Sequence, residues 1–290
     1  IWLGLVGSEM CIRDRFCESE TAEEPVVRLG QEAANWWQDH GADVTRQGSL
    51  VLALGRDQGD LDRFARRTQQ HQTLDRSGID RLEPDLDGRF SRGLYFATET
   101  HLAPRAALEA LQARLKVRGV VVHQTVPKKP GTLLDCRGFA ARDALSDLRG
   151  VKGEMAVLHC PEIALQRPVR LLHPRIPLYI VPRGDGIYML GATQIEASTR
   201  SRATVRSVLE LLTAAYALHP AFGEAELVEI GVDARPAFAD NLPRIRRRGS
   251  TVFLNGLFRH GFLLAPAMAR MAADMLLEGI VPEVMDEDFG

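Results

Sequence analysis

The stretch Leu254-Asn-Gly-Leu-Phe-Arg-His-Gly-Phe-Leu-Leu-Ala-Pro266 contains the end of an apolar strand, a glycine-flanked loop and the start of a helix. Gly256 and Gly261 allow the backbone to approach a ligand closely, because glycine has no Cβ. Arg259 supplies a cation between them, and the first N–H groups of the helix can receive an anion or a polar group. The stretch therefore predicts one wall of a ligand site.

Composition and charge narrow the class of protein. The chain has 290 residues, 45% hydrophobic and 26% charged, with a net charge of -2. This length suits about two domains, and the balanced charge gives no electrostatic basis for binding nucleic acid or a membrane surface. The cysteines, which are Cys11, Cys17, Cys136 and Cys160, show no metal-ligand spacing. We therefore expect reduced thiols, no metal and a cytoplasmic location.

Two patterns of secondary structure alternate along the chain. Helix and strand signals mix in residues 16–48, 104–150 and 236–290, whereas short strands divided by proline and glycine fill residues 49–103 and 151–235. The alternation predicts an α/β chain, α+β overall, with two discontinuous domains, the second formed by a mostly antiparallel sheet. Residues 1–15 resemble translated adapter sequence, so we interpret them as non-native and exclude them from the fold.

Hydrophobic periodicity predicts the individual elements. The helix at 204–219 is expected to bury Val205, Val208, Leu209, Leu212 and Tyr216, which recur at helical spacing. The basic run Arg244–Arg248 lies between Pro243 and Gly249 and is interpreted as a solvated turn. Further helices are expected at 104–119 and 265–279, and strands at 48–54, 93–97, 120–123, 132–136, 155–159, 169–172, 178–182, 187–191, 226–232 and 251–254.

Three polar residues are candidates for substrate binding. Arg235 precedes Pro236 at the end of a predicted strand, Tyr179 begins an apolar strand, and Arg259 lies in the glycine loop. The planar guanidinium group can donate two parallel hydrogen bonds to a carboxylate, and a tyrosine hydroxyl can add a third. Each residue also has an ordinary structural interpretation: a surface or ion-paired arginine, and a core tyrosine with a solvated hydroxyl.

A set of segments in fixed order resembles the glycine oxidases of the D-amino-acid-oxidase family, and the likeness extends from about Phe16 to Gly279. Each segment alone is a weak signal, but their common order is specific. They read Arg149-Gly-Val-Lys-Gly-Glu154, Tyr179-Ile-Val-Pro-Arg183, Gly191-Ala-Thr193, Arg235-Pro236, Asp240-Asn-Leu-Pro243, and Arg259-His-Gly261 through Leu264-Ala-Pro266.

The resemblance implies a site for FAD and for a small amine or amino acid. Arg235 and Tyr179 would bind the substrate carboxylate, and Arg259 would lie between substrate and flavin. Val126 matches a position whose backbone reaches the adenine half of FAD, and Cys136 and Gly138 end a strand where a ligand could lie against the backbone. The residues that would pass along the flavin ring are Leu257, Phe258, Arg259, His260, Gly261, Phe262 and Leu263.

The resemblance also implies the reaction. FAD would take a hydride from the α-carbon of glycine, a small amine or a D-amino acid, leaving an imine, and O2 would be reduced to H2O2. No acid–base catalytic residue is required if the amine is neutral when it binds. The imine would supply thiazole formation in thiamine biosynthesis. The expected partners are therefore small molecules, and association into a homo-oligomer stays open.

The chain departs from the family pattern at three places. Asp233-Ala234 stands where Gly-Leu is common, and His260 where asparagine is common. No G-x-G-x-x-G occurs, so we expect a Rossmann-type FAD domain that lacks its first βαβ unit and an unstable, truncated chain. The alternatives are a sarcosine-oxidase-like or D-amino-acid-dehydrogenase relative, a degenerate binding protein, and an inactive fragment that cannot hold FAD.

Overall fold

The computed structural model describes residues 24–123, 125, 131–172 and 178–286. The helices in these ranges are α1 (Glu24–Leu29), α2 (Ala33–Asp39), α3 (Gln58–Arg67), α4 (Arg76–Leu82), α5 (Pro104–Val117), α6 (Val205–Leu218) and α7 (Gly261–Glu278). The strands are β1 (Val44–Thr45), β2 (Ser49–Ala53), β3 (Gln72–Asp75), β4 (Arg92–Phe96), β5 (His101–Leu102), β6 (Leu133–Asp135), β7 (Arg149–His159), β8 (Val169–Leu172), β9 (Leu178–Pro182), β10 (Ile187–Gly191), β11 (Glu226–Ala237), β12 (Arg244–Arg248) and β13 (Thr251–Asn255).

The large sheet has eight strands in the order β11-β7-β10-β9-β8-β2-β4-β3. Its neighbours are antiparallel except β2 and β8, where Leu50 lies beside Val169 in a parallel register. Strands β9 and β10 form a hairpin, in which Tyr188 pairs with Pro182 across a turn at 183–186. The expectation of a mostly antiparallel sheet is therefore confirmed, with one parallel pair inside it.

The small sheet has the order β12-β13-β6, and here β13 and β6 run parallel, with Val252 beside Leu134. The two parallel strands end at the same edge. Helices α1, α2 and α7 pack near this sheet in a cluster that includes Val26, Trp37 and Phe262. A parallel pair covered by helices is the layer expected of an α/β unit.

Each face of the large sheet has a different environment. On one face, Leu211, Ala215 and Leu218 of α6 belong to the core cluster that contains Ile180 and Leu190. On the other face, Met155, Tyr179, Val181 and Met189 form a separate cluster. Because side chains alternate along a strand, Tyr179 and Ile180 point to opposite faces. The second face is the one that bears the candidate site.

The buried face predicted for α6 is wrong. Val205 is 77% exposed, and Leu209 and Tyr216 are also exposed. The helix begins where predicted, since the Thr204 hydroxyl accepts the Ser207 amide at 3.2 Å. It turns its other side to the sheet and buries Ser207, Leu211, Ala214, Ala215 and Leu218. The helix is apolar around most of its circumference, so periodicity fits two faces, and the small alanines permit closer packing on the sheet.

The strand predicted at 120–123 is wrong. These residues form no strand and are exposed to solvent.

The solvated turn predicted for the basic run Arg244–Arg248 is also wrong, because the run forms strand β12. Arg246 is buried, pairs with Asp147 at 2.7 Å and stacks on Phe238 at 4.6 Å. Ion pairing and stacking place this guanidinium inside the fold, where composition alone predicts solvent exposure.

Helix α7 begins at Gly261, four residues earlier than predicted, and contains Pro266. Proline has no N–H, so the carbonyl of Phe262, four residues earlier, loses its helical donor. The indole Nε1 of Trp37 donates to that carbonyl at 2.8 Å. A side chain from α2 thus replaces the missing backbone hydrogen bond and permits proline in the second turn of α7.

We expect Trp37→Phe to lower the free energy of unfolding by about 1–3 kcal/mol, because a buried carbonyl would be left without a donor. Urea denaturation measures this change. Trp36→Phe is the matched control, since neighbouring Trp36 is only partly buried and the Phe262 carbonyl keeps its indole donor. Equal effects of the two substitutions would contradict this role of the indole.

Candidate functional site

Arg235 lies near the end of β11, and only 4% of its surface is exposed. Its Nη1 donates to the carbonyl oxygen of Thr193 at 3.0 Å. The guanidinium group rests on the bare backbone of Gly153 in β7, where an added Cβ would lie 2.5 Å from Arg235 Cζ. A glycine at 153 is therefore required for the observed position of the arginine.

Tyr179 shares a sheet face with Arg235. Gly153 and Met155 are two residues apart in β7 and therefore lie on the same face, and Met155 packs in the same cluster as Tyr179. Strands β7 and β10 lie between β11 and β9, so about 14 Å separates the two backbones across the sheet. Because Arg235 leans over Gly153, the two long side chains face a common region with Met155 between them.

Arg170 belongs to this face and was missed by the sequence analysis. It lies directly opposite Tyr179 in the pairing of β8 with β9. Its Cζ atom is 5.1 Å from the centre of the Tyr179 ring and 4.7 Å from that of Phe64. A buried cation between two aromatic faces orients the tyrosine ring. The available signal was an arginine within the apolar strand Val169–Leu172.

Asn255 joins the two loops that follow the parallel strands β6 and β13. Its Nδ2 donates to the Gly138 carbonyl at 2.9 Å, and its Oδ1 accepts the Gly256 amide at 2.8 Å. Both glycines have positive φ, 59° and 79° respectively. The structure thus brings Gly138 and the opening stretch together at the carboxyl ends of adjacent parallel strands, where α/β sheets bind ligands.

The predicted loop turns back toward Arg235 before it enters α7. The Phe258 amide donates to the Pro236 carbonyl at 2.9 Å, and the Phe258 side chain packs with Val151 and Ala237. The Arg259 Cζ atom lies 5.9 Å from the Phe258 ring centre. One backbone hydrogen bond therefore links the glycine loop to the residue that follows Arg235.

The N-terminus of α7 completes this wall. The first turn closes when the Leu264 amide donates to the His260 carbonyl at 2.8 Å. The amides of Gly261, Phe262 and Leu263 precede that bond, so they have no acceptor within the helix. The His260 side chain does not cap the helix. These donors and the positive end of the helix dipole suit a polar or anionic group.

Cys136 and Val126 are also predicted cofactor residues. Cys136 directly follows β6 and is exposed, near the Gly138 loop that Asn255 anchors. Val126 lies outside the described residues.

Among the residues that the structure describes, no cluster of histidine, cysteine and carboxylate side chains could hold a metal ion. In the same ranges, every helix is too short or too polar to cross a bilayer.

Comparison with known proteins identifies the family. Residues 11–275 match the family model described as FAD dependent oxidoreductase, DAO. The chain is 52% identical over 269 residues to the thiamine biosynthesis oxidoreductase ThiO of Rhizobium etli. This alignment covers 90% of the present chain and 82% of the Rhizobium protein.

Solved structures of low sequence identity share the fold. Glycine oxidase from Geobacillus kaustophilus gives a TM-score of 0.77 at 19% identity, covering 97% of this chain and 87% of that one. The FAD-bound L-α-glycerophosphate oxidase of Mycoplasma pneumoniae gives 0.72 at 18%, covering 95% and 86%. On the family model and the relative from Rhizobium etli, the chain belongs to the DAO family of FAD-dependent oxidoreductases, in the group of ThiO and glycine oxidase.

Proposed function

We propose that this protein oxidises glycine, or another small amine or D-amino acid, to an imine with FAD as cofactor and O2 as electron acceptor. The product imine would enter thiazole formation in thiamine biosynthesis, the role carried in the name of the relative from Rhizobium etli. When bound, FAD supplies a two-electron acceptor that takes a hydride from the substrate's α-carbon and passes its electrons to O2.

One observation carries the proposal. The buried Arg235 guanidinium lies against Gly153, on the sheet face of Tyr179 and beside the loop that precedes α7. A buried, preorganised guanidinium suits a carboxylate, because charge-assisted hydrogen bonds are about twice as strong as neutral ones. In this arrangement Arg235 binds the substrate carboxylate, and the Tyr179 hydroxyl donates a hydrogen bond to the same group.

The residues around the opening stretch fit a flavin. Gly138 and Gly256 follow the carboxyl ends of the parallel strands β6 and β13, and the first amides of α7 offer donors to a polar ring edge. We assign the flavin wall to Leu257, Phe258, Arg259, His260, Gly261, Phe262 and Leu263, with Arg259 toward the substrate. Cys136 and Gly138 would contact the cofactor from the β6 side.

The division into two domains is part of the proposal. The FAD-binding domain would comprise residues 16–48, 104–150 and 236–290, and the substrate domain residues 49–103 and 151–235. Separate buried clusters support this division: one includes Trp37, Ile245 and Met268, and another includes Leu50, Ile180 and Leu211. The candidate site lies where Phe258 of the first unit meets Val151 of the second.

The test measures FAD binding and then turnover. Purified protein is incubated with FAD and desalted, and the retained flavin absorbance is recorded. Glycine added without O2 is expected to bleach that absorbance, and O2 then restores it with one H2O2 formed per glycine oxidised. Sarcosine and D-alanine are compared in parallel. A protein that retains FAD but is reduced by none of these contradicts the proposal, and one that retains no FAD supports the inactive-fragment alternative.

Gly153→Ala tests the cradle under Arg235. The new Cβ would lie 2.5 Å from Arg235 Cζ, so the guanidinium must move. We expect KM for glycine to rise by roughly tenfold or more, since a misplaced carboxylate partner weakens substrate binding. Steady-state H2O2 formation measures it. Gly59→Ala is the control, because a Cβ on Gly59 meets nothing within 4 Å; an unchanged KM in Gly153→Ala would exclude the cradle.

A further inference from the structure

A buried ion pair lies close to Arg235 without being part of the proposed substrate contacts. Lys152 and Glu154 of β7 are 3% and 1% exposed, and Lys152 Nζ donates to Glu154 Oε1 at 2.7 Å. Removing two charges from water is unfavourable, and apolar residues of similar volume are often equally stabilising in such places. Stability alone therefore does not explain this buried ion pair, and its other hydrogen bonds indicate its role.

The pair anchors both ends of one segment, residues 192–204, which we call the strap. At its start, the Thr193 hydroxyl accepts the Glu154 amide at 2.9 Å and donates to Glu154 Oε2 at 3.3 Å. At its end, Glu154 Oε1 accepts the Thr204 amide at 3.2 Å, and Lys152 Nζ donates to the Arg202 carbonyl at 3.0 Å. One carboxylate and one ammonium thus fix the strap across β7.

The strap contacts Arg235 through Thr193. Thr193 accepts the Arg235 Nη1 hydrogen bond on its carbonyl oxygen, while its amide donates to the Glu154 carbonyl at 3.1 Å. Thr193 therefore makes three hydrogen bonds to Glu154 and one to Arg235. The Ile195 amide donates to the Lys152 carbonyl at 2.9 Å, and the Lys152 amide donates to the Ile195 carbonyl at 2.9 Å. The chain is therefore held on both sides of the Thr193 carbonyl, which restricts where that carbonyl can point.

The charge state of Glu154 supports a permanent anchor. Burial by itself would raise the pKa of this carboxyl, but hydrogen bonds from Lys152, Ser207 and the Thr204 amide outweigh it and hold the pKa below its ordinary value. Glu154 consequently stays ionised at neutral pH and remains an acceptor for each of these donors.

We propose that Lys152, Glu154 and Thr193 are positioning residues that hold the Arg235 guanidinium in its substrate-binding orientation through the Thr193 carbonyl. This inference rests on the proposed function for the role of Arg235. It requires no contact between these three residues and the substrate. Their effect is on the orientation of the guanidinium before substrate arrives, which lowers the ordering that binding must supply.

The chain offers a matched control for the loss of a buried ion pair. Glu83 and Arg167 are 0% and 8% exposed, and Arg167 Nε donates to Glu83 Oε1 at 2.7 Å. Glu83 accepts hydrogen bonds from Arg167 and from the Gln166 amide, and neither residue belongs to the strap. Glu83→Gln and Glu154→Gln therefore remove comparable buried charges, only one of which is connected to Arg235.

The direct test observes the arginine itself. In ¹⁵N-labelled protein, the Nε–H resonance of Arg235 is identified by its loss in Arg235→Lys. We expect Glu154→Gln and Thr193→Val to broaden or shift this resonance, whereas Thr193→Ser, which keeps the hydroxyl, leaves it near its original position. Glu83→Gln is expected to leave it unchanged. Thr193→Val keeps the test decisive if Glu154→Gln does not fold.

A kinetic arm uses the FAD-loaded protein. Glu154→Gln and Thr193→Val should raise KM for glycine roughly tenfold with kcat within about threefold, and Thr193→Ser should restore KM. The proposal would be overturned if Glu154→Gln and Thr193→Val melt at lower temperature, as is expected of Glu83→Gln, yet keep the Arg235 resonance and the KM of the parent. Failure of the parent protein to oxidise any amine would refute the proposed function alone, because the resonance test needs no turnover.

Discussion

Arg235→Ala is expected to raise the KM for glycine by about a hundredfold or more, with a much smaller effect on kcat. The buried guanidinium is the charged partner that we assign to the substrate carboxylate, and losing one member of a buried charge pair costs about 2–5 kcal/mol. Steady-state H2O2 formation over a wide range of glycine concentrations measures both constants.

A control must separate this loss from a general effect of removing an arginine. Arg105→Ala removes a guanidinium that pairs at 2.7 Å with Glu229, which lies on the same strand as Arg235 but is surface-exposed. Exposed ion pairs contribute about 0–1 kcal/mol, so this variant should keep the KM of the parent. Equal KM values for the parent and Arg235→Ala would refute the assignment of the carboxylate site.

Gly256→Ala is expected to lower the free energy of unfolding by about 3 kcal/mol. The residue has φ of 79°, a left-handed conformation that costs a non-glycine residue about 1–2 kcal/mol. An added Cβ would also lie 2.5 Å from Phe238 Cε2, and overpacking of this kind costs about 1–3 kcal/mol. Urea denaturation followed by circular dichroism gives the value.

Gly249→Ala separates the two contributions. Gly249 also has positive φ, 58°, but a Cβ there meets nothing within 4 Å. It should therefore show only the conformational penalty, about 1–2 kcal/mol. If Gly256→Ala destabilises no more than Gly249→Ala, contact with Phe238 does not restrict position 256. If Gly256→Ala destabilises the protein more than Gly249→Ala does, we also expect Gly256→Ala to retain less FAD, since Gly256 directly precedes the proposed flavin wall.

The elements that could be predicted are those with a local cause. Strands β8 and β10 have the predicted bounds because each is a short apolar run between proline or glycine residues. Helix α6 begins at the predicted position, where Thr204 caps it, since capping depends on residues three apart. Strand β3 and helix α4 were not predicted: β3 is largely exposed, and α4 is marked mainly by the Asp75 cap, which accepts the Gly78 amide at 2.9 Å.

The candidate site also has one part that the sequence predicted and another that only the structure shows. The order of motifs identified Arg235, Tyr179 and the loop at 254–266, and the family match confirms the family that those motifs indicated. Arg149–Glu154 and Gly191–Thr193 were recognised only as segments of resemblance. The hydrogen bonds of Glu154 to Thr193 join residues 39 positions apart, which no periodicity can reveal.

The sequence alone determined the class of this protein: its family, most of its strands and helices, and the glycine loop with Arg259 before α7. These follow from local backbone preferences and from motif order, which are properties of short segments. Only the tertiary structure decided which face α6 buries, how Trp37 permits Pro266, and how Gly153 and Thr193 support Arg235. Those outcomes depend on contacts between distant segments, because packing selects one among several arrangements that local preferences allow equally.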